Sequence, residues 1–163
     1  MSMLNELLME MIRYDKGDAG RIQHFLKVHS YARLIAASEH LDPDLQFVTE
    51  AAAIVHDIAI RLCEEKYGDC SGKLQEKEGP ALAEEMLSRL GFAPDVVERV
   101  SFLVGHHHTY DNVDGMDYQI LVEADFLVNL AENGTDRDSI LHTYRKIFKT
   151  DTGKEICREM FGL

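Results

Sequence analysis

Apolar residues recur at helical spacing along almost the whole chain, and no polar–apolar alternation of useful length interrupts them. That property restricts the chain to an all-α fold. Leu4, Leu7, Leu8, Met11 and Ile12 form the first stripe, a short amphipathic helix expected to close near residues 15–20. Residues 18–40 carry Ile22, Phe25, Leu26, Val28, Ala32, Leu34, Ile35 and Ala36, which leave little polar face. A helix apolar on more than one side belongs in the middle of a bundle. "LDPD" (41–44) breaks it, and a third helix is expected over 45–62. Residues 64–78, EEKYGDCSGKLQEKE, are polar, glycine-bearing and weakly periodic, and read as a loop of the length that often carries function. Pro80 and Gly91 mark the first turn and the end of the next helix, and Pro94 opens another that runs into His106, His107 and His108. Residues 118–133 give a further helix, and 137–149 and 153–161 one or two closing ones. The expectation is a single-domain bundle over residues 1–163, with about six to seven helices.

Charge narrows the partners. Among 163 residues, 17 Lys and Arg stand against 29 Asp and Glu, a net charge of −12. Residues 31–136 alone hold seven bases and 21 acids. No basic stripe exists to follow a phosphate backbone or an anionic bilayer, so no nucleic-acid polymer and no membrane is expected as a partner. A small phosphorylated molecule stays compatible, because a bound cation reverses the field inside one cleft. The acidic middle itself reads either as solvated helix faces or as carboxylates gathered around a cation. Three cysteines, Cys63, Cys70 and Cys157, show no CxxC spacing and suit a reducing compartment. The first residues lack the pattern of a signal peptide, and no run reaches the ~18 apolar residues that span a bilayer. A cytoplasmic location is expected.

Four places carry the chemistry: His24 in the apolar second helix, the His56–Asp57 pair after "AAAIV", the run His106–His108, and Asp125 in "VEADFLV". Asp125 lies among Val122, Phe126, Leu127 and Val128, and Asp57 among Ile54, Val55, Ile58 and Ile60. A carboxylate in such surroundings is costly unless it is paired or binds a cation. A divalent ion held by two imidazoles and two carboxylates meets both needs at once. Each piece alone has a plainer reading. His24 suits a hydrogen-bonded core histidine, a buried Asp can pair with Arg33 or Arg61, and the histidine run can be an exposed helix end. Adjacent helical residues also point roughly 100° apart, so His56 and Asp57 reach one ion only from a favourable helix end.

Taken in order, "RIQHFLKVHSYARLIAASEHLD", "AAAIVHDIA" and "VEADFLV" resemble the HD superfamily of metal-dependent phosphohydrolases over about residues 20–130. The first motif is carried by His24, Val28, Ala32 and Ala36, the doublet by His56 and Asp57, and the late aspartate by Asp125. His29 shares the helix but fits the spacing less well, and reads as a core or supporting histidine. The resemblance implies a divalent metal (Mn, Fe, Co, Ni, Zn or Mg), held as one tight ion by His24, His56, Asp57 and Asp125. It implies a water activated on that metal, attacking a phosphomonoester or phosphoanhydride, often of a nucleotide. Asp57 is the principal catalytic candidate. Where many two-metal members have a histidine before a helix start, this chain has Glu78, with Glu76 close by. Glu76, Glu78 and His107 are the candidates for protonating the leaving oxygen, and His107 is expected near the substrate phosphate or a second ion. Lys73, Arg21, Lys27 and Arg33 are the candidate phosphate-binding cations. The competing classes are a metal-bearing module that binds a nucleotide without turnover and a bundle whose metal is only structural.

Overall fold

The computed structural model describes residues 1–163 as nine helices without strands. They are α1 (Met3–Tyr14), α2 (Ala19–Ser38), α3 (Pro43–Val55), α4 (Ile60–Tyr67), α5 (Gly72–Arg89), α6 (Pro94–Val104), α7 (Met116–Glu132), α8 (Arg137–Ile147) and α9 (Asp151–Phe161). None is long and apolar enough to cross a membrane. The all-α expectation holds, with more helices than the six or seven read from the sequence.

The centre is made by α2, α3 and α7. Asp18 starts α2 by accepting a hydrogen bond from the Arg21 amide. His24, Val28, Ala32 and Ile35 then recur along its buried face, with Phe25 and Ala36 beside them. Asp42 caps α3 through the amides of Asp44 and Leu45, Pro43 occupies the first turn, and every residue from Val48 to Val55 is buried. In α7, eleven residues are buried, so this helix too is enclosed nearly all round. α1 lays Leu7 and Met11 against this centre, while the α5–α6 pair packs on the other side of α3.

Two expectations are corrected. The third helix does not continue to residue 62. It ends at Val55, and residues 56–59 form a turn in which the amides of Ile58 and Ile60 bond the carbonyls of Val55 and Asp57, i to i−3. Nor are residues 64–78 a loop. The last turn of α4 and the first of α5 fill most of that stretch, leaving only residues 68–71 as a connection. The segment looks structureless in sequence because its helices are short or solvent-facing. Gly68, at φ 64°, ends α4 in the left-handed region that glycine favours.

Pro80 lies inside α5 rather than in its first turn. It cannot donate to the Glu76 carbonyl, a local cost. Close packing against α6 compensates: a Cβ on Gly79 would stand 2.6 Å from Val104 Cγ1, and one on Gly105 2.9 Å from Pro80 Cγ. Here the helices approach too tightly for side chains.

The last two helices dock through one buried carboxylate. Glu123 is fully enclosed and accepts from the Thr150 amide at 2.9 Å, the Thr150 hydroxyl at 2.6 Å, the Gln119 side chain at 2.9 Å and the Lys149 amide. Replacing Glu123 with Ala strands these donors in the interior. The expected loss is about 3 kcal/mol of unfolding free energy, read by urea denaturation, with Glu123→Gln losing less because the amide oxygen still accepts. A loss below about 1 kcal/mol contradicts this account of the docking.

Candidate metal centre

Two helices and one turn bring the donors together. His24 comes from the second turn of α2, His56 and Asp57 from the turn after α3, and Asp125 from the middle of α7. His24 Nε2 lies 3.2 Å from Asp57 Oδ2, 3.2 Å from Asp125 Oδ1 and 3.3 Å from His56 Nε2. His56 Nε2 lies 3.2 Å from Asp57 Oδ2 and 3.3 Å from Asp125 Oδ1. The helix break at residue 56 makes this possible: adjacent residues that would diverge on a continuous helix instead converge. His56 is fully buried, and the side chains of His24, Asp57 and Asp125 are 10, 13 and 8% exposed.

The residues fit a divalent cation. Donors held about 2.1 Å from one ion at tetrahedral or octahedral angles stand about 3–3.4 Å apart, the separation seen here. Two carboxylates balance its charge, and the imidazoles are borderline donors suited to first-row metals.

Each imidazole is also held from behind. His24 Nδ1 sits 3.1 Å from Glu132 Oε2, and Lys27 donates to the other Glu132 oxygen at 3.0 Å. His56 Nδ1 donates to the Ala53 carbonyl at 2.7 Å, and Asn129 donates to Asp125 Oδ1 at 3.0 Å. Such contacts fix the tautomer that leaves Nε2 free for a metal.

Asp57 faces two ways. While Oδ2 meets His24 and His56, Oδ1 lies 3.3 Å from His107 Nε2. That approach is poorly aligned for a hydrogen bond, so the fully buried His107 Nε2 has no partner. Its Nδ1 donates to the Val104 carbonyl at 2.8 Å, the same C-terminal device that holds His56. Asp57, His107 and His108 form a second group whose donor atoms lie within 4.8 Å of one another, alongside the group of His24, His56 and Asp57. The loop that carries the histidines is braced from outside. Arg99 makes paired hydrogen bonds to both Asp114 and Asp117, and the Tyr118 hydroxyl sits between the carbonyls of His106 and Thr109.

The other sequence candidates lie as follows. Glu78, a candidate for protonating the leaving oxygen, is engaged instead by Lys66 and Tyr67 on α4. Glu76 accepts from the Thr109 hydroxyl, next to His108. Arg21 pairs with Asp18 and Glu64, and it lines a cavity of about 320 Å³ with Asp15, Lys16 and Arg61, without any apolar side chain in the wall. Arg33 is 69% exposed and 4.0 Å from Glu50, outside the cluster. Lys73 is exposed in the first turn of α5, beside the Gly72 that touches His108. His29 pairs with Glu50 at 3.0 Å, and His106 stacks on Phe102. Sequence reading missed Glu132, Asn129 and Gln75. The first two follow Asp125 at i+7 and i+4 on α7, a spacing that could have flagged them.

Electrostatics matches the geometry. Burial would drive the proton off His24, but the hydrogen-bonded carboxylates of Asp125 and Asp57 outweigh it and raise His24 to about 9. Burial likewise opposes a proton on His56, and Asp57 and Asp125 raise it well above the usual value. Against burial, His56 and its neighbouring imidazoles hold Asp57 and Asp125 well below the ordinary carboxylate range. Burial, reinforced by His107, pushes His108 down to about 4, so it is neutral.

These features define an all-helical protein with a buried His/Asp cation cluster. The HD domain family model matches residues 21–147, and the chain belongs to that family. No curated protein matches it. Among solved structures, the chain is similar to a predicted HD superfamily hydrolase from an uncultured Thermotogales bacterium, with 24% identity and a TM-score of 0.70. The match covers 97% of this chain and 84% of that one, and shows the fold.

A metal ion must displace the protons on the cluster, so affinity rises with pH as His24, raised to about 9, and His56 lose theirs. Stability of the metal-free protein runs the other way. With its folded value above the ordinary 6.5, His24 contributes fully below pH 6.5, and that contribution is lost as pH rises from 6.5 to about 9. The expected result is a larger Mn²⁺-induced Tm rise at about pH 8.5 than at about pH 6.5, with proton release in calorimetry. A rise that is larger at the acid end contradicts the assignment.

Proposed function

We propose that the protein is a metal-dependent phosphohydrolase acting on a small phosphorylated molecule, of which a nucleotide phosphomonoester or phosphoanhydride is the leading class. One observation carries the reading: Asp57 presents one oxygen to the His24–His56–Asp125 cluster and the other to His107. A site with only a structural task needs no second face and no unpartnered nitrogen beside it. A bound divalent ion supplies Lewis acidity toward a phosphoryl oxygen and lowers the pKa of its water.

The chain's own residues do the rest. His24, His56, Asp57 and Asp125 hold one tight ion, and Asp57, His107 and His108 offer a weaker place for a second. Glu132, Asn129 and the Ala53 and Val104 carbonyls keep the donors aligned, so little reorganisation is needed at the moment of reaction. Of the three residues named for protonating the leaving oxygen, Glu76 fits best. It lies beside His108 through Thr109, whereas Glu78 is engaged with Lys66 and His107 belongs to the donor set. Arg21, a candidate phosphate-binding cation on the polar cavity at the starts of α2 and α4, shares that cavity with Arg61 and four acids, Asp15, Asp18, Glu64 and Glu65, and pairs with two of them. The reading also extends to a reducing, cytoplasmic setting, in keeping with three unpaired cysteines.

Asp57→Ala tests the proposal. Phosphate release from any accepted nucleotide should fall by more than about 100-fold, since the change removes both a charge and a shared ligand. The fold should survive, because it rests on the apolar faces of α2, α3 and α7, and circular dichroism should match wild type. Unchanged turnover in the variant overturns the catalytic role. A wild-type protein that binds a nucleotide but frees no phosphate with Mn, Co, Ni, Zn or Mg moves the assignment to a binding module.

A further inference from the structure

The second donor group contains two consecutive residues, His107 and His108, and consecutive residues do not ordinarily point at one place. Their rings lie 4.0 Å apart, centroid to centroid, at 45°. Adjacent rings can serve a common point when one uses the far nitrogen of its ring and the other the near one. His107 presents Nε2, because its Nδ1 donates to the Val104 carbonyl. His24 and His56 are held in the same sense, with Nδ1 engaged by Glu132 and Ala53.

His108 is held in the opposite sense. Its Nε2 lies 3.1 Å from Gln75 Oε1, and the polarity of that bond is fixed by what Gln75 does next. Gln75 Nε2 lies 2.7 Å from the Cys70 backbone carbonyl, which can only accept. The amide nitrogen therefore faces Cys70 and the amide oxygen faces His108. An amide oxygen only accepts, so His108 must donate from Nε2–H, and in the neutral ring the lone pair is then on Nδ1. Gln75 is only 6% exposed, and water competes little for these bonds. Gly72, one turn before Gln75, lets the ring lie against bare backbone: a Cβ there would stand 2.9 Å from His108 Cγ.

We propose that Gln75 is a positioning residue that fixes His108 in its Nε2–H tautomer and so offers Nδ1, beside His107 Nε2 and Asp57, as a ligand of a second divalent cation. The proposal rests on reading the Asp57–His107–His108 group as a cation site. Gln75, in the stretch that reads in the sequence as a loop of functional length, thereby sets the ligand chemistry of a histidine 33 positions further on.

The test uses metal-free protein labelled with ¹⁵N at histidine, and long-range proton–nitrogen correlations that assign each tautomer. His108 is expected as a neutral ring protonated at Nε2 alone, in contrast to His24 and His56, which carry protons on both nitrogens in the metal-free chain. Gln75→Leu removes the acceptor, and His108 then populates both tautomers. Gln75→Glu restores the single form as the neutral acid, one carboxyl oxygen accepting from Nε2–H while the other, protonated, donates to the Cys70 carbonyl in place of the amide. In a calorimetric Mn²⁺ titration, Gln75→Leu should weaken the second equivalent about 10–100-fold and leave the first within about twofold, while Gln75→Glu keeps both. Circular dichroism of both variants checks that the fold is retained. One equivalent in the wild-type protein overturns the second-cation reading itself. Two equivalents with His108 as Nδ1–H, or two that Gln75→Leu leaves undisturbed, overturn the role given to Gln75.

Discussion

Asp57 and Asp125 approach the same two imidazoles in the interior of the bundle, and two carboxylates in that place need positive charge to be there at all. Protons on His24 and His56 supply it in the metal-free chain, which is why both histidines are raised and both acids lowered. A dication can supply it instead, with the same four donor atoms and no change of fold. Much of the architecture serves this exchange. α2, α3 and α7 are the most deeply buried helices, and they are also the ones that deliver the donors. The break at residue 56 departs from regular helix just where two adjacent side chains must meet one point.

Most of the fold was legible in the sequence because its main signals are local. The apolar stripes, Pro43 and Pro94 at helix starts and the glycine-rich turns are each readable within a few residues. The four donors of the first group were legible for a different reason: an acid surrounded by Val, Leu and Ile is costly wherever it lies, so Asp57 and Asp125 draw attention unaided. What escaped depends on contacts between elements. Nothing local distinguishes residues 64–78 from a loop, since their helices are stabilised by packing on α6 through Gly79 and by the polar pairing of Glu78 with Lys66. Continuing α3 to residue 62 was the natural expectation from period alone, because Ile58 and Ile60 keep an apolar pattern through the turn.

The supporting groups escaped for a related reason. Glu132 and Gln75 look like any exposed polar residues until the partner helix is in place. Yet they differ in kind from the backbone carbonyls of Ala53 and Val104, which hold His56 and His107 simply because helices α3 and α6 end there. A carbonyl at a helix end cannot be mutated away. The side chains can, so the orientation of His24 and His108 is the adjustable part of the centre, whereas that of His56 and His107 is built into the fold.

The strong negative charge of residues 31–136 bears on the order of events. In the metal-free chain the protons on His24 and His56 only balance the two carboxylates of the first donor group, leaving no positive charge to offset the acidic surface, and Arg21 is paired with Asp18 and Glu64. A phosphorylated substrate would meet net repulsion from such a surface at a distance comparable with the ~8 Å Debye length of physiological salt. Within the cluster, a bound cation offers a phosphoryl oxygen a coordination position that protonated imidazoles, already paired with Asp57 and Asp125, do not. On the phosphohydrolase reading, then, metal must precede substrate, and the chain's acidity discriminates against phosphate binding to the empty protein. The same acidity that argues against nucleic acid as a partner thus makes the local cation the determinant of whether any phosphate is held at all.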